Sequence, residues 1–312
     1  MWIGQFVKYL VPVVFMLRFV CVCLLAAILS ANQEPPAEKP AGERWAVIVV
    51  GIPGDKEHEK LFDKTADAWQ EWLTGPLGFN AEHVLLLNGA AAPGTTADAI
   101  RTTFAELAKK LQPDDGLWVF TLGHGNYDGK HAWFHVAGRD PSNEDFGRWL
   151  GEIRCREQVF WLTHASSGWF VKPLSRPGRI VIAATAADDE SNETEFPEAL
   201  ATIAGREPAT LDADADGNVS VAELFAAVSG EVLRRFKSDN RLPTEHAQLD
   251  DNGDGKGTEE LTAEKEPADS EPPAGAPPAV KAPAAKIDGD LARKTYLPYP
   301  DTTRKPANDD PR

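Results

Sequence analysis

Apolar residues along this chain come in two rhythms. Five runs are continuous and of strand length: residues 45–52 (WAVIVVGI), 83–87 (HVLLL), 117–122 (LWVFTL), 158–162 (QVFWL) and 179–184 (RIVIAA). Runs of this kind read as strands buried on both faces. Elsewhere apolar residues recur every three or four positions, as one face of a helix requires. Leu61, Phe62, Thr65, Trp69 and Leu73 do so across 58–73, which ends at Gly75-Pro76. Ile100, Phe104, Leu107 and Leu111 mark a second helix, capped by Thr95 or Thr96. Residues 143–153 and 196–204 read as helices, as do 221–236, with Leu224, Phe225, Val228 and Leu233 on the apolar side. Residues 131–136 read as a short hairpin strand. Strands alternating with helices predict an α/β fold: a three-layer sandwich, with a mainly parallel, right-handed sheet and helices on both faces.

The pattern changes at both ends. Lys8 and Arg18 precede an apolar run at 19–28 and the small residues Ser30 and Ala31, so 1–31 reads as a signal peptide or an N-terminal anchor. Apolar residues reach back to Leu10, enough to span a bilayer if the segment is uncleaved. The expected location is therefore exported: secreted, periplasmic or associated with the cell envelope. Residues 32–43 read as a linker. Beyond Gly255, proline interleaved with Ala, Glu and Lys predicts a disordered tail over 256–312, with one short ordered piece at 288–297.

Charge narrows the function classes. The formal net charge is −16, with no basic stripe to neutralise phosphates, which argues against nucleic acid as a partner. Residues 186–255 carry 17 Asp and Glu against 5 Lys and Arg, a concentration that favours cations. Of three cysteines, Cys21 and Cys23 lie in the N-terminal segment, which leaves Cys155 alone in the body and no disulfide framework there.

In open α/β sheets, sites form at the carboxyl ends of the strands. The third strand ends in Gly123-His124-Gly125-Asn126, and the fourth in Thr163-His164-Ala165-Ser166-Ser167-Gly168. A histidine between glycines is accessible to a neighbouring strand end, as a general base must be. The strand order, the His-Gly and the small-residue turn resemble the caspase-fold cysteine peptidases, a group comprising caspases, legumains, metacaspases and separases. The legumain-like branch (peptidase C13-type) fits best, because Ile182-Ala183-Ala184-Thr185-Ala186-Ala187 is similar to its fifth-strand segment. The resemblance covers residues 44–204 and implies a caspase-like domain over 44–210.

It also implies roles. His124 matches the catalytic histidine. Three residues before Gly168, where legumains carry the nucleophilic cysteine, stands Ala165; two before, the caspase position, stands Ser166. Alanine has no nucleophilic atom, and a serine hydroxyl would need activation by His124. Cys155 is ten residues before Ala165, at the far end of the strand, so it reads as a structural or surface cysteine. His164 points away from Ala165 if the strand persists and reads as a packed histidine. The stretch Asp188-Asp189-Glu190 lies where this family builds its specificity pocket, and its Asp188 and Asp189 could select a basic side chain or simply be part of a solvated loop.

A second motif lies in 211–255. Asp212-Ala213-Asp214-Ala215-Asp216-Gly217-Asn218-Val219-Ser220-Val221-Ala222-Glu223 fits the calcium loop of an EF-hand, with Asp212, Asp214, Asp216, the Asn218 carbonyl and bidentate Glu223 as ligands for Ca2+. Gly205 and Pro208 interrupt the entering helix. Asp250-Asp251-Asn252-Gly253-Asp254-Gly255 copies only the first half of such a loop, since its twelfth position is Leu261.

Three functions follow: an exported, calcium-stabilised pseudopeptidase that binds peptide or protein in the former active-site cleft, a hydrolase using Ser166 with His124, or a calcium-dependent structural or adhesion module. Membrane contact is expected only through an uncleaved N-terminal segment.

Overall fold

The computed structural model describes residues 42–88, 94–261 and 287–299. The expected signal peptide or anchor lies outside the described residues, as does nearly all of the 32–43 linker. The strands of the main sheet are β1 (Arg44–Val50), β2 (Val84–Leu87), β3 (Gly116–Leu122), β6 (Glu157–Leu162), β7 (Ile180–Ala183) and β8 (Gln248–Asp250), in the order β2-β1-β3-β6-β7-β8. All neighbours are parallel except β7 and β8. A small antiparallel hairpin, β4 (Gly125–Tyr127) with β5 (Ala132–Phe134), follows β3 directly.

Alternation along the strands sorts the core into two layers. Ala46, Ile48 and Val50 of β1 pack on one face with α1 (Lys56–Thr74), α5 (Phe196–Ala204) and α6 (Val221–Ser238). Val47 and Val49 pack on the other with α2 (Ala97–Lys110), α3 (Asn143–Gly151) and α4 (Gly168–Leu174). The protein is thus an α/β three-layer sandwich with a mainly parallel sheet. Each helix starts where the chemistry demands. Asp55 accepts the amides of Glu57 and His58 at α1, Thr96 caps α2, and Ser142 and Ser220 form capping boxes with Asp145 and Glu223. On α6 the buried stripe is Val221, Leu224, Phe225, Val228, Val232 and Phe236. Leu233, expected on that side, is 51% exposed because it lies one step, about 100°, off the stripe.

The chain beyond Gly255 is not all tail. Residues 256–261 continue the fold from β8, where Leu249 and Thr258 exchange backbone hydrogen bonds of 3.0 and 2.9 Å. Residues 287–299 return to the domain and form α7 (Asp290–Lys294). Ala292 and Leu297 are buried in the layer with α1 and α6, and the Trp72 indole donates to the Tyr299 hydroxyl at 3.2 Å. This is the ordered piece expected at 288–297, and it is an integral part of the core.

Candidate active site

The order of strands reverses between β1 and β3, the switch point where open sheets place ligands. His124 stands there. Its Nε2 is 3.1 Å from the carbonyl oxygen of Pro53, in the loop after β1. Its ring meets His58 and Phe62 of α1, with centroids 5.0 and 5.3 Å away. His58 in turn bridges Asp55 (2.8 Å) and Glu193 (3.0 Å). The hydrogen bond to Asp55 raises the His58 pKa, and burial works in the opposite direction.

The neighbouring strand end carries the small-residue turn. A Cβ on Gly125 would sit 2.6 Å from the Ala165 carbonyl oxygen and 2.7 Å from His164 Nδ1, so glycine is what lets the two strand ends touch. Hydroxyls stitch the turn together. Thr163 Oγ1 donates to the Thr121 carbonyl at 2.6 Å, and Thr194 Oγ1 to the Thr163 carbonyl at 2.5 Å. Ser167 Oγ accepts from the amides of Ala184 and Thr185 at 3.0 and 3.3 Å. Thr185 Oγ1 accepts from the Gly168 amide at 3.0 Å, and a Cβ on Gly168 would lie 2.4 Å from the Thr185 carbonyl oxygen.

Ala165 is 6% exposed. Ser166 is 1% exposed, with φ of 59°. Its amide donates to the Glu190 carbonyl at 3.0 Å, while its hydroxyl has no hydrogen-bond partner among the described residues. Ser166 and His124 follow neighbouring strands and are not hydrogen-bonded to each other. With its left-handed φ, Ser166 sits with its hydroxyl buried.

His164 is fully buried between Phe134 and Phe170, each ring centroid 4.9 Å away. Burial pushes its pKa down to about 4, so the ring is neutral. It packs among aromatic rings of β5 and α4, whereas His124 packs against α1. Cys155 lies before β6, at the other end from Ala165; its thiol donates to the Glu157 carbonyl at 3.4 Å, and burial pushes it up to about 11. Asp188 and Asp189 are exposed on the loop after β7. Asp188 Oδ1 accepts from the Glu190 amide at 3.2 Å, and its carbonyl from the Trp169 indole at 3.3 Å.

In the sequence, Glu190 is read as part of one acidic stretch with Asp188 and Asp189, with no role of its own. Its carboxylate accepts from the amides of Ala186 (2.7 Å) and His246 (2.9 Å) and pairs with the His246 ring. Together with its carbonyl bond to Ser166, this joins the turn after β6 to the loops around β7 and β8. Nothing in an acidic tripeptide distinguishes its last member from the first two; only the return of β8 does.

The acidic loop before α6 is separate from this site. Side-chain oxygens of Asp212, Asp214 and Asp216 lie within 4.8 Å of one another. Glu223 Oε1 reaches back across the loop to the amides of Ala213 (2.8 Å) and Asp214 (3.3 Å). The three converging carboxylates are oxygen donors of the kind a hard cation such as calcium takes, while both oxygens of Glu223 accept hydrogen bonds from the loop and the helix start. Asn218, expected to offer its carbonyl, donates its amide to Asp216 Oδ1 at 2.7 Å. Residues 295–297 flank the loop: Leu297 donates to the Val219 carbonyl and Val221 to the Thr295 carbonyl, both at 2.8 Å. The acidic groups Asp216, Asp214 and Glu223 raise the Tyr296 pKa, with Asp216 contributing most.

The chain matches no protein-family model and no curated protein. Among solved structures, the crystal structure of protein GSU0716 from Geobacter sulfurreducens is similar over 67% of this chain and 92% of that one, at 11% identity and a TM-score of 0.40.

Proposed function

We propose that this chain is an exported caspase/legumain-like pseudopeptidase. It binds a peptide or protein segment in the cleft at the carboxyl ends of β1, β3 and β6, without cleaving it. The observation that carries the reading is the strand-end pair: His124 at the switch point, and beside it a turn whose nucleophile position is Ala165. The one hydroxyl that could replace a thiol, on Ser166, is buried and makes no hydrogen bond to the histidine. A general base needs hydrogen-bond reach to its proton donor, so binding is favoured over hydrolysis with Ser166. Export is supported by the N-terminal apolar segment.

In this reading Asp212, Asp214, Asp216 and Glu223 hold calcium, with the Asn218 carbonyl as a further ligand. The ion supplies no chemistry to the cleft; it braces the start of α6 against residues 295–297. The exposed Asp188 and Asp189, on the loop after β7, would favour a basic residue in the bound segment.

The test is a restored nucleophile. Ala165→Cys is expected to gain hydrolysis of peptide substrates, and adding His124→Ala to that variant is expected to abolish it. Wild-type protein that cleaved a peptide library, and lost the activity on His124→Ala, would refute the proposal.

A further inference from the structure

A groove of about 750 Å³ begins at Gly168, the last residue of the small-residue turn. Three lysines from three separate elements line it: Lys130 from the β4–β5 turn, Lys172 from α4 and Lys256 from the loop after β8. All three are exposed, and no carboxylate pairs with any of their ammonium groups among the described residues. The one acid in the lining, Glu144, lies 3.7 Å from the His131 ring. The acids nearest in sequence, Asp128 and Asp254, each accept backbone amides, from Lys130 at 2.8 Å and Lys256 at 2.9 Å. Trp169 gives the groove an aromatic wall. Its ring stacks on Tyr127 at 4.0 Å and 9°, its indole is held by the Asp188 carbonyl, and its own carbonyl accepts from the Asn143 side chain at 2.9 Å.

We propose that this groove docks an acidic peptide segment, one that carries carboxylates at spaced positions with apolar residues between them. Charge complementarity selects the occupant. The whole chain is at −16 and repels acidic partners, so a concave site with three lysines and one acid is where such a partner is attracted. Its size and mixed lining select a peptide over a small anion. A single phosphate or carboxylate would fill little of the volume of about 750 Å³. The groove borrows Gly168 and Trp169 from the end of the turn after β6, but neither His124 nor any residue of β1 or β3 lines it.

The test uses the full chain and fluorescence anisotropy of a labelled octapeptide alternating glutamate and leucine, with a lysine–leucine octapeptide as control. The acidic peptide is expected to bind saturably. Lys172→Glu combined with Lys256→Glu is expected to weaken it about tenfold, and Lys130→Glu alone a few-fold, with melting unchanged because all three side chains are exposed. His124→Ala is expected to leave this binding as it is, which separates the groove from the proposed cleft. Equal binding of the basic peptide, no loss in the lysine variants, or displacement by inorganic phosphate as effective as by unlabelled acidic peptide would each overturn the proposal.

Discussion

In the loop at 212–223, the carboxylate of Asp212 accepts from the amide of Gly217, Asp214 from Asp216, and Asp216 from Asn218, at 2.9, 3.1 and 2.7 Å. In the loop at 250–256, Asp250 accepts from Gly255, Asn252 from Asp254, and Asp254 from Lys256, at 3.0, 2.8 and 2.9 Å. The two backbones are folded by the same three side-chain caps, yet their surroundings differ. The first loop lies at the surface and is closed by Glu223. The second has Leu261 at the matching position, and Asp250 in it is 1% exposed. Its neighbour Asp251 accepts from the amides of Gly289 (2.8 Å) and Ala292 (2.7 Å), so it caps the returning C-terminal segment. The short acidic motif fixes the turn. Whether its oxygens face a cation or the protein's own amides is decided by residues that arrive from elsewhere in the chain.

The comparison breaks most visibly if the second loop is deprived of its segment. Ending the chain at Leu261 removes Ala292 and Leu297 from the core and leaves the Asp251 carboxylate without its amides; a loss of about 5 kcal/mol in urea unfolding is expected. Asp251→Ala alone leaves two buried amides unpaired, for about 3 kcal/mol, whereas Asp214→Ala in the exposed loop is expected to change calcium-free stability by less than about 1 kcal/mol. Calcium sharpens the contrast from the other side. At about a hundred times its dissociation constant it is expected to add about 2.7 kcal/mol. Asp216→Ala or Glu223→Gln should erase that gain in a thermal melt, and Asp254→Ala should preserve it. If Asp254→Ala removed the calcium effect, the division between the loops would fail.

A third carboxylate shows what happens with fewer amides. Glu245 is 3% exposed, accepts the Glu195 amide at 2.7 Å through Oε1, and has no hydrogen-bond partner for Oε2 among the described residues. Burial pushes its pKa up to about 8. A folded-state value above the unfolded one means its contribution is fully present below the ordinary carboxylate range and is lost as pH rises through about 8. Glu245→Gln is expected to match wild type near pH 5 and to exceed it at pH 8 by on the order of 2 kcal/mol. A flat difference between the two across that window would show that the group ionises freely.

The layered α/β fold was legible because β1, β3 and β6 are continuous apolar runs, and because the faces of α1, α2 and α5 repeat at helical spacing. The strand ends with His124 and Ala165 were legible for the same reason: once the runs are placed, their polar exits are placed too. Three features were hidden. The strand β8 is Gln-Leu-Asp, too short and too polar to register as a period. The helix α4 contains Pro173 and begins in small residues that read as a turn. The groove beside it gathers lysines from positions 130, 172 and 256, a convergence that only the folded chain creates. The burial of Ser166 likewise depends on a left-handed turn stabilised by Glu190, some two dozen residues downstream in the chain.

The returning segment at 287–299 has one more consequence. It touches the domain as a bound peptide would, through a few buried side chains, an indole–hydroxyl bond and backbone pairing beside the loop at 212–223. What makes it permanent is the covalent connection through residues 262–286. Because the link is covalent, dilution cannot separate the clasp from the domain while the chain is whole. A single cut in the connection would turn one molecule into two components, and the domain's stability would then depend on how much of each is present.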